Sequence, residues 1–114
     1  MLRKILSTLL CLGLAVSLLT GCVRTIDEII EEEPSVRGTV AGVNAKYFLL
    51  DVDREDPAYE TASRISVSRD VENADSYTSL KAGDHVAVYF DGVIAESYPA
   101  QISIVYAVLY IGET

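Results

Sequence analysis

The chain has 114 residues, with 9 basic and 17 acidic side chains and a formal charge of −8. That length supports one small domain rather than two. The acidic balance repels phosphate backbones, so nucleic acid is not expected as a partner.

The chain opens Met1-Leu2-Arg3-Lys4 and continues as an apolar run from Ile5 to Leu19. Two early cations followed by a run shorter than the ~20 residues of a membrane span fit an export signal. The run ends Leu19-Thr20-Gly21-Cys22. This resembles the bacterial lipobox, in which small residues admit the backbone to a peptidase and the cysteine thiol takes a diacylglycerol by thioether. Residues 1–21 are therefore expected to leave as a lipoprotein signal peptide. Cys22 is expected to become a lipidated N-terminus, with an acyl chain such as palmitate as a further option on its new amine. Two or more acyl chains anchor stably, at ~0.8 kcal/mol per buried methylene. The expected location is the extracytoplasmic face of a cell membrane.

Cleavage would remove Cys11, and lipid would consume Cys22, the only other cysteine. The exported domain would then hold neither thiol nor disulfide, and its stability would rest on packing. Loss of Arg3 and Lys4 leaves 7 basic against 17 acidic residues, a net of −10.

Residues 22–35 follow as the lipidated cysteine and a tether, with Asp27-Glu28 and Glu31-Glu32-Glu33 flanking Ile29-Ile30. Such a composition predicts a solvated, mostly disordered spacer. The alternative is a short helix stopping before Pro34, because the residue preceding proline disfavours helical geometry.

From residue 36 to 114 the apolar residues alternate, the signature of strands. The first predicted strand is Val36 to Val43, with Gly38 and Gly42 marking a bend or bulge. Asn44-Ala45-Lys46 turns into the second, Tyr47 to Asp53, with Phe48, Leu50 and Val52 on one face. Arg54 to Glu60 is a polar loop, and Thr61 to Ser68 is the third strand, with Ile65 and Val67 together. Asp70 to Lys81 reads as a loop with room for one helical turn. Ala82-Gly83-Asp84 turns into the fourth strand, His85 to Phe90, where Val86, Val88 and Phe90 share a face. The last, Ile102 to Ile111, is apolar on both faces and is expected to be central. Five short strands around one core predict an all-β domain, a small five-stranded OB-like Greek-key barrel. An SH3-like barrel or a small open sandwich is the alternative.

Four segments carry a resemblance: Val36-Arg37-Gly38-Thr39-Val40, Leu80-Lys81-Ala82-Gly83-Asp84-His85-Val86-Ala87-Val88, Tyr89-Phe90-Asp91-Gly92 and Ala95-Glu96-Ser97-Tyr98-Pro99-Ala100-Gln101-Ile102. In this order they are similar to an uncharacterised family of small OB-like bacterial lipoproteins, a domain of unknown function. The resemblance implies a fold and an address. It implies no activity and no catalytic residues.

The residues themselves argue against an enzyme. No free cysteine would remain, His85 is the sole histidine, and no Gly-x-Ser-x-Gly turn presents a serine. His85 reads as a surface residue beside a turn. A metal would have to be held by carboxylates: Asp51, Asp53 and Glu55, with Asp56 and Glu60 nearby, suit weak calcium binding. The EF-hand pattern fails, since Asp56 stands at the turn-glycine position and Ala62 at the bidentate one. A solvated acidic loop is the plainer reading, and no cofactor beyond the covalent lipid is expected. Tyrosines offer a binding face: Tyr47 and Tyr89 point away from Phe48 and Phe90, whereas Tyr106 and Tyr110 are expected in the core with Ile102 and Ile104. The strongest candidate is the segment Glu96 to Gln101. There Glu96, Tyr98 and Gln101 can present an acid, a ring and an amide, with Pro99 fixing the backbone and a cis bond an option. The competing reading makes Pro99 a corner and Tyr98 a plug for the barrel end.

These features lead to a membrane-anchored, non-enzymatic binding module for an envelope protein or wall component. The alternatives are a weak calcium-dependent hydrolase and a purely structural accessory subunit.

Overall fold

A computed structural model describes residues 24–73 and 75–113; for Glu113 it describes the backbone alone. The signal residues, Cys22 and Cys11 lie outside the described residues. The described residues form one short α-helix, α1 (Ile26–Glu32), and six strands: β1 (Ser35–Val43), β2 (Tyr47–Val52), β3 (Arg64–Ser68), β4 (Asp84–Phe90), β5 (Ala100–Ile102) and β6 (Val105–Glu113). The all-β expectation holds.

The strands form a single mixed sheet in the order β5-β3-β2-β1-β4-β6, in which only β3 and β5 pair in parallel. β5 and β6 are consecutive, with Ser103-Ile104 between them, yet they occupy opposite ends of the order. The sheet must therefore curl until its ends meet. No strand ladder joins β5 to β6, so the sheet is open and has six strands, which corrects the closed five-stranded barrel. The cause is local: the expected strand Ile102 to Ile111 breaks at Ser103-Ile104, and its two parts pair with different neighbours. β6 ends the order instead of lying centrally.

Alternation places Val36, Val40, Phe48, Leu50, Val52, Ile65, Val67, Val86, Val88 and Phe90 inside the curl, where they pack with Ala100, Ile102, Val105 and Val108. Burying one such side chain contributes about 1.5–3 kcal/mol. Two features of β1 permit the curl. A bulge falls between Val40 and Gly42 in the β1–β2 register. At Gly38 the backbone of β2 comes so close that an added Cβ would lie 2.4 Å from the Asp51 carbonyl oxygen. The β1–β2 hairpin is closed by Asn44, whose side-chain oxygen accepts from the Lys46 and Tyr47 amides at 2.9 and 2.8 Å.

The edges are covered, as an open sheet requires. Residues 71–73 and 75–77 run along β6: the amides of Glu72, Asn73 and Tyr77 donate to the carbonyls of Val105, Tyr106 and Val108. Buried Ser76 finishes this seam, its Oγ donating to the Val108 carbonyl and accepting from the Val108 amide. Ser76→Ala would leave that amide buried without a partner, at a cost of about 1–3 kcal/mol. Urea titration of the variant should show this loss; an unchanged midpoint would mean that the seam is dispensable. At the other edge Ala95 and Gln101 form an antiparallel bridge. Among the described residues of 70–81 the expected helical turn does not form. A 3-10 turn forms instead at Pro57–Glu60, capped by Asp56, whose Oδ1 accepts from the Ala58 amide at 2.9 Å.

The tether reading also changes. Thr25 caps α1 by accepting from the Glu28 amide, Asp27 and Glu28 sit favourably in the first turn, and the helix stops before Pro34. This is the short-helix alternative, but the helix is not merely solvated. Ile29 is fully buried, and α1 packs on β6. Ala87 and Ala107, which alternate with the core valines and so face outward, are buried on that side.

Candidate functional site

The segment leaving β4 is drawn into a loop by the Ala95–Gln101 bridge, whose two backbone hydrogen bonds measure 2.8 and 3.1 Å. Inside the loop the Ser97 hydroxyl donates to the Pro99 carbonyl at 2.8 Å, and the Tyr98–Pro99 peptide is cis. These constraints leave Tyr98 at the tip with its ring fully exposed. The residue does not plug the end of the sheet.

Between this loop and residues 61–64 lies an open groove of about 450 Å³, lined on one side by Glu96, Ser97 and Tyr98 and on the other by Thr61, Ser63 and Arg64. Arg64 is half-exposed at the start of β3. Its Nε and one terminal nitrogen reach the two oxygens of Asp51 at 2.6 and 3.2 Å. This paired geometry fixes the guanidinium plane and, through the hydrogen bond and charge of Asp51, raises the Arg64 pKa above its usual value. The groove thus joins a fixed cation, a carboxylate, hydroxyls and an aromatic face. That combination suits polar recognition: the ring stacks, the guanidinium donates, and Glu96 and the hydroxyls accept.

Of the residues singled out from sequence, Glu96 and Tyr98 line this groove; Pro99 is half-buried behind them. Gln101 is exposed on the outer face of β5, beside Ser66 in register. Tyr47 is not part of the group. It pairs with Ser68 at the far end of β3 and lines a separate hollow of about 370 Å³ with Lys46 and Arg69. Tyr89 is half-buried on β4, between Ser35 and Ala107 in register.

The parity expected for Tyr106 fails, whereas for Tyr110 the face is as expected and the burial is not. A register shift between Tyr89 and Phe90 leaves Tyr106 out of the pairing, so it faces outward, with the Arg24 guanidinium 4.6 Å above its ring. Tyr110 pairs with inward-facing Val86 but remains 45% exposed, its ring 5.2 Å from Tyr77. Ile104, expected inside, is 50% exposed.

The acidic group proposed for calcium is dispersed. Asp51 is taken by Arg64, Asp53 lies 2.6 Å from His85 Nε2, and Asp56 holds the 3-10 turn and the Arg37 amide. Glu55 and Glu60 are exposed. Among the described residues no three acidic, histidine or cysteine side chains are grouped to hold a metal ion. The His85–Asp53 pair escaped sequence reading because β1 lies between β2 and β4, a neighbourhood set by sheet order. Another buried carboxylate, Asp84, accepts from the Tyr77 hydroxyl at 2.8 Å and the Lys81 amide at 3.1 Å, so it shapes the turn into β4.

No protein-family model matches the chain, no curated protein matches it, and no solved structure matches it. Its functional reading therefore rests on its own residues.

Proposed function

We propose that this chain is a lipid-anchored extracytoplasmic protein whose domain binds an envelope protein or wall component without catalysing a reaction. The anchor rests on Leu19-Thr20-Gly21-Cys22 following a basic start and a short apolar run. Binding rests above all on the fully exposed Tyr98, held by its loop beside the Arg64–Asp51 pair. A large ring kept in water at the rim of a polar groove costs solvation for no packing gain, and contact with a partner would recover it. The calcium-dependent reading is weaker, since Asp51 and Asp53 each face a basic side chain. The domain could also serve as a structural accessory subunit, which would leave the groove without a ligand.

Two measurements test the proposal. In a bacterial host that processes lipoproteins, the wild-type chain should take up labelled palmitate and sediment with membranes, and Cys22→Ser should abolish both. Uptake by Cys22→Ser equal to wild type would refute the anchor. For the groove, the lipid-free domain should be retained by isolated cell wall or cross-link to one envelope protein. Tyr98→Ala should weaken that association about tenfold or more, the loss typical of an aromatic anchor. Retention unaffected by both Tyr98→Ala and Arg64→Ala would remove the groove from the proposal.

A further inference from the structure

We infer that the domain does not hang from the membrane on a flexible tether but rests directly against the lipid headgroups, on the face built around Arg24. This rests on the anchoring of Cys22 proposed above. The first described residue, Arg24, is already locked to the body of the domain. Its carbonyl accepts from the Asn73 side chain at 2.9 Å. Its guanidinium reaches Glu33 at 2.9 Å, Glu32 at 3.0 Å and Glu72 at 3.4 Å, and lies over the Tyr106 ring. The hydrogen bonds to Glu33 and then Glu32 raise its pKa well above the usual arginine value, so it remains charged. From there α1 continues without slack, fixed by buried Ile29.

Only Val23 separates Arg24 from Cys22. Two Cα steps span at most about 7.6 Å. The α-carbon of Cys22 therefore lies within that distance of the Arg24 α-carbon, its lipid enters the bilayer only a thioether and a glycerol further on, and the bilayer surface lies against the neighbouring side chains. These include Glu72 and half-exposed Ile104, which share a shallow hollow with Tyr106. The face is acidic, with Glu32, Glu33 and Glu72 around Arg24, so charge does not draw it to anionic lipid. The covalent link imposes the contact. The groove lies elsewhere: from Arg64 along β3 to Val71, which bridges Val105, is at most about 23 Å of extended chain. A partner of the groove would then have to be found within one domain's breadth of the membrane.

The lipidated protein, purified from membranes and placed in phosphatidylcholine vesicles, allows a direct test. The thiol of its remaining cysteine is taken up in the thioether, so Ile104→Cys, a half-exposed position in the same hollow that holds none of the Arg24 contacts, supplies a unique thiol for a fluorophore. Nitroxide lipids labelled at the headgroup should quench this probe strongly. Inserting about 12 Gly/Ser residues between Val23 and Arg24 adds on the order of 20 Å of reach, and most of the quenching should be lost. Weak quenching in the native chain, or quenching unchanged by the insertion, would overturn the inference. Failure of the anchor itself looks different, because the protein would then not float with the vesicles at all.

Discussion

Gly38→Ala is expected to destabilise the domain by about 3 kcal/mol or more, at or beyond the upper end of ordinary overpacking. The new Cβ would stand 2.4 Å from the Asp51 carbonyl oxygen and 2.9 Å from Leu50 Cγ. The first of these atoms is backbone, so relief requires β1 and β2 to separate at this point of the ladder. For a domain of this size the corresponding fall in melting temperature is on the order of 12–24 °C. Gly42→Ala is the internal control. Its Cβ would meet nothing within 4 Å, and the residue does not have positive φ. Reduced freedom in the unfolded chain should make that variant about 0.4–1 kcal/mol more stable. Equal melting temperatures for the two variants would show that the close crossing at Gly38 is not formed.

The second large effect concerns the segment after the lipidation site. Ile29→Ala removes a fully buried side chain from between α1 and β6. Loss of such a side chain costs about 2–5 kcal/mol when the site cannot collapse. Chemical denaturation of a Cys22→Ser background should show this loss. Local opening should also appear as faster trypsin cleavage after Arg24, a bond now held against Asn73 and the three glutamates. A free tether predicts neither change, and a loss below about 0.5 kcal/mol, the scale of ordinary surface substitutions, would restore that reading. The same variant bears on membrane contact, since a detached α1 would give the anchored domain the slack it now lacks.

The groove was partly legible. Pro99 and the density of polar and aromatic side chains marked 96–101 as unusual, and the structure places Glu96 and Tyr98 on one wall. The opposite wall was not legible, because Thr61, Ser63 and Arg64 precede it by some thirty residues and meet it only through the parallel β3–β5 pairing. Arg64 carried no local signal as a groove residue. Its role emerges when β2 and β3 align in register and bring Asp51 opposite it.

The sequence by itself determined what depends on near neighbours along the chain. Alternation decided which face of each of the first four strands is buried. Asn44 and Gly83 located turns, Gly38 and Gly42 located the bend, and Pro34 set the end of the helix. These are local properties, fixed by side-chain direction, allowed dihedrals and missing hydrogen-bond donors. Tertiary structure alone decided the sheet order, the break at Ser103-Ile104, the outward turn of Tyr106, the burial of Ile29 and the partners of Asp51, Asp53 and Arg24. Each depends on which distant strand or loop supplies the matching hydrogen bonds. One unpaired residue in a register is enough to move every later side chain to the other face.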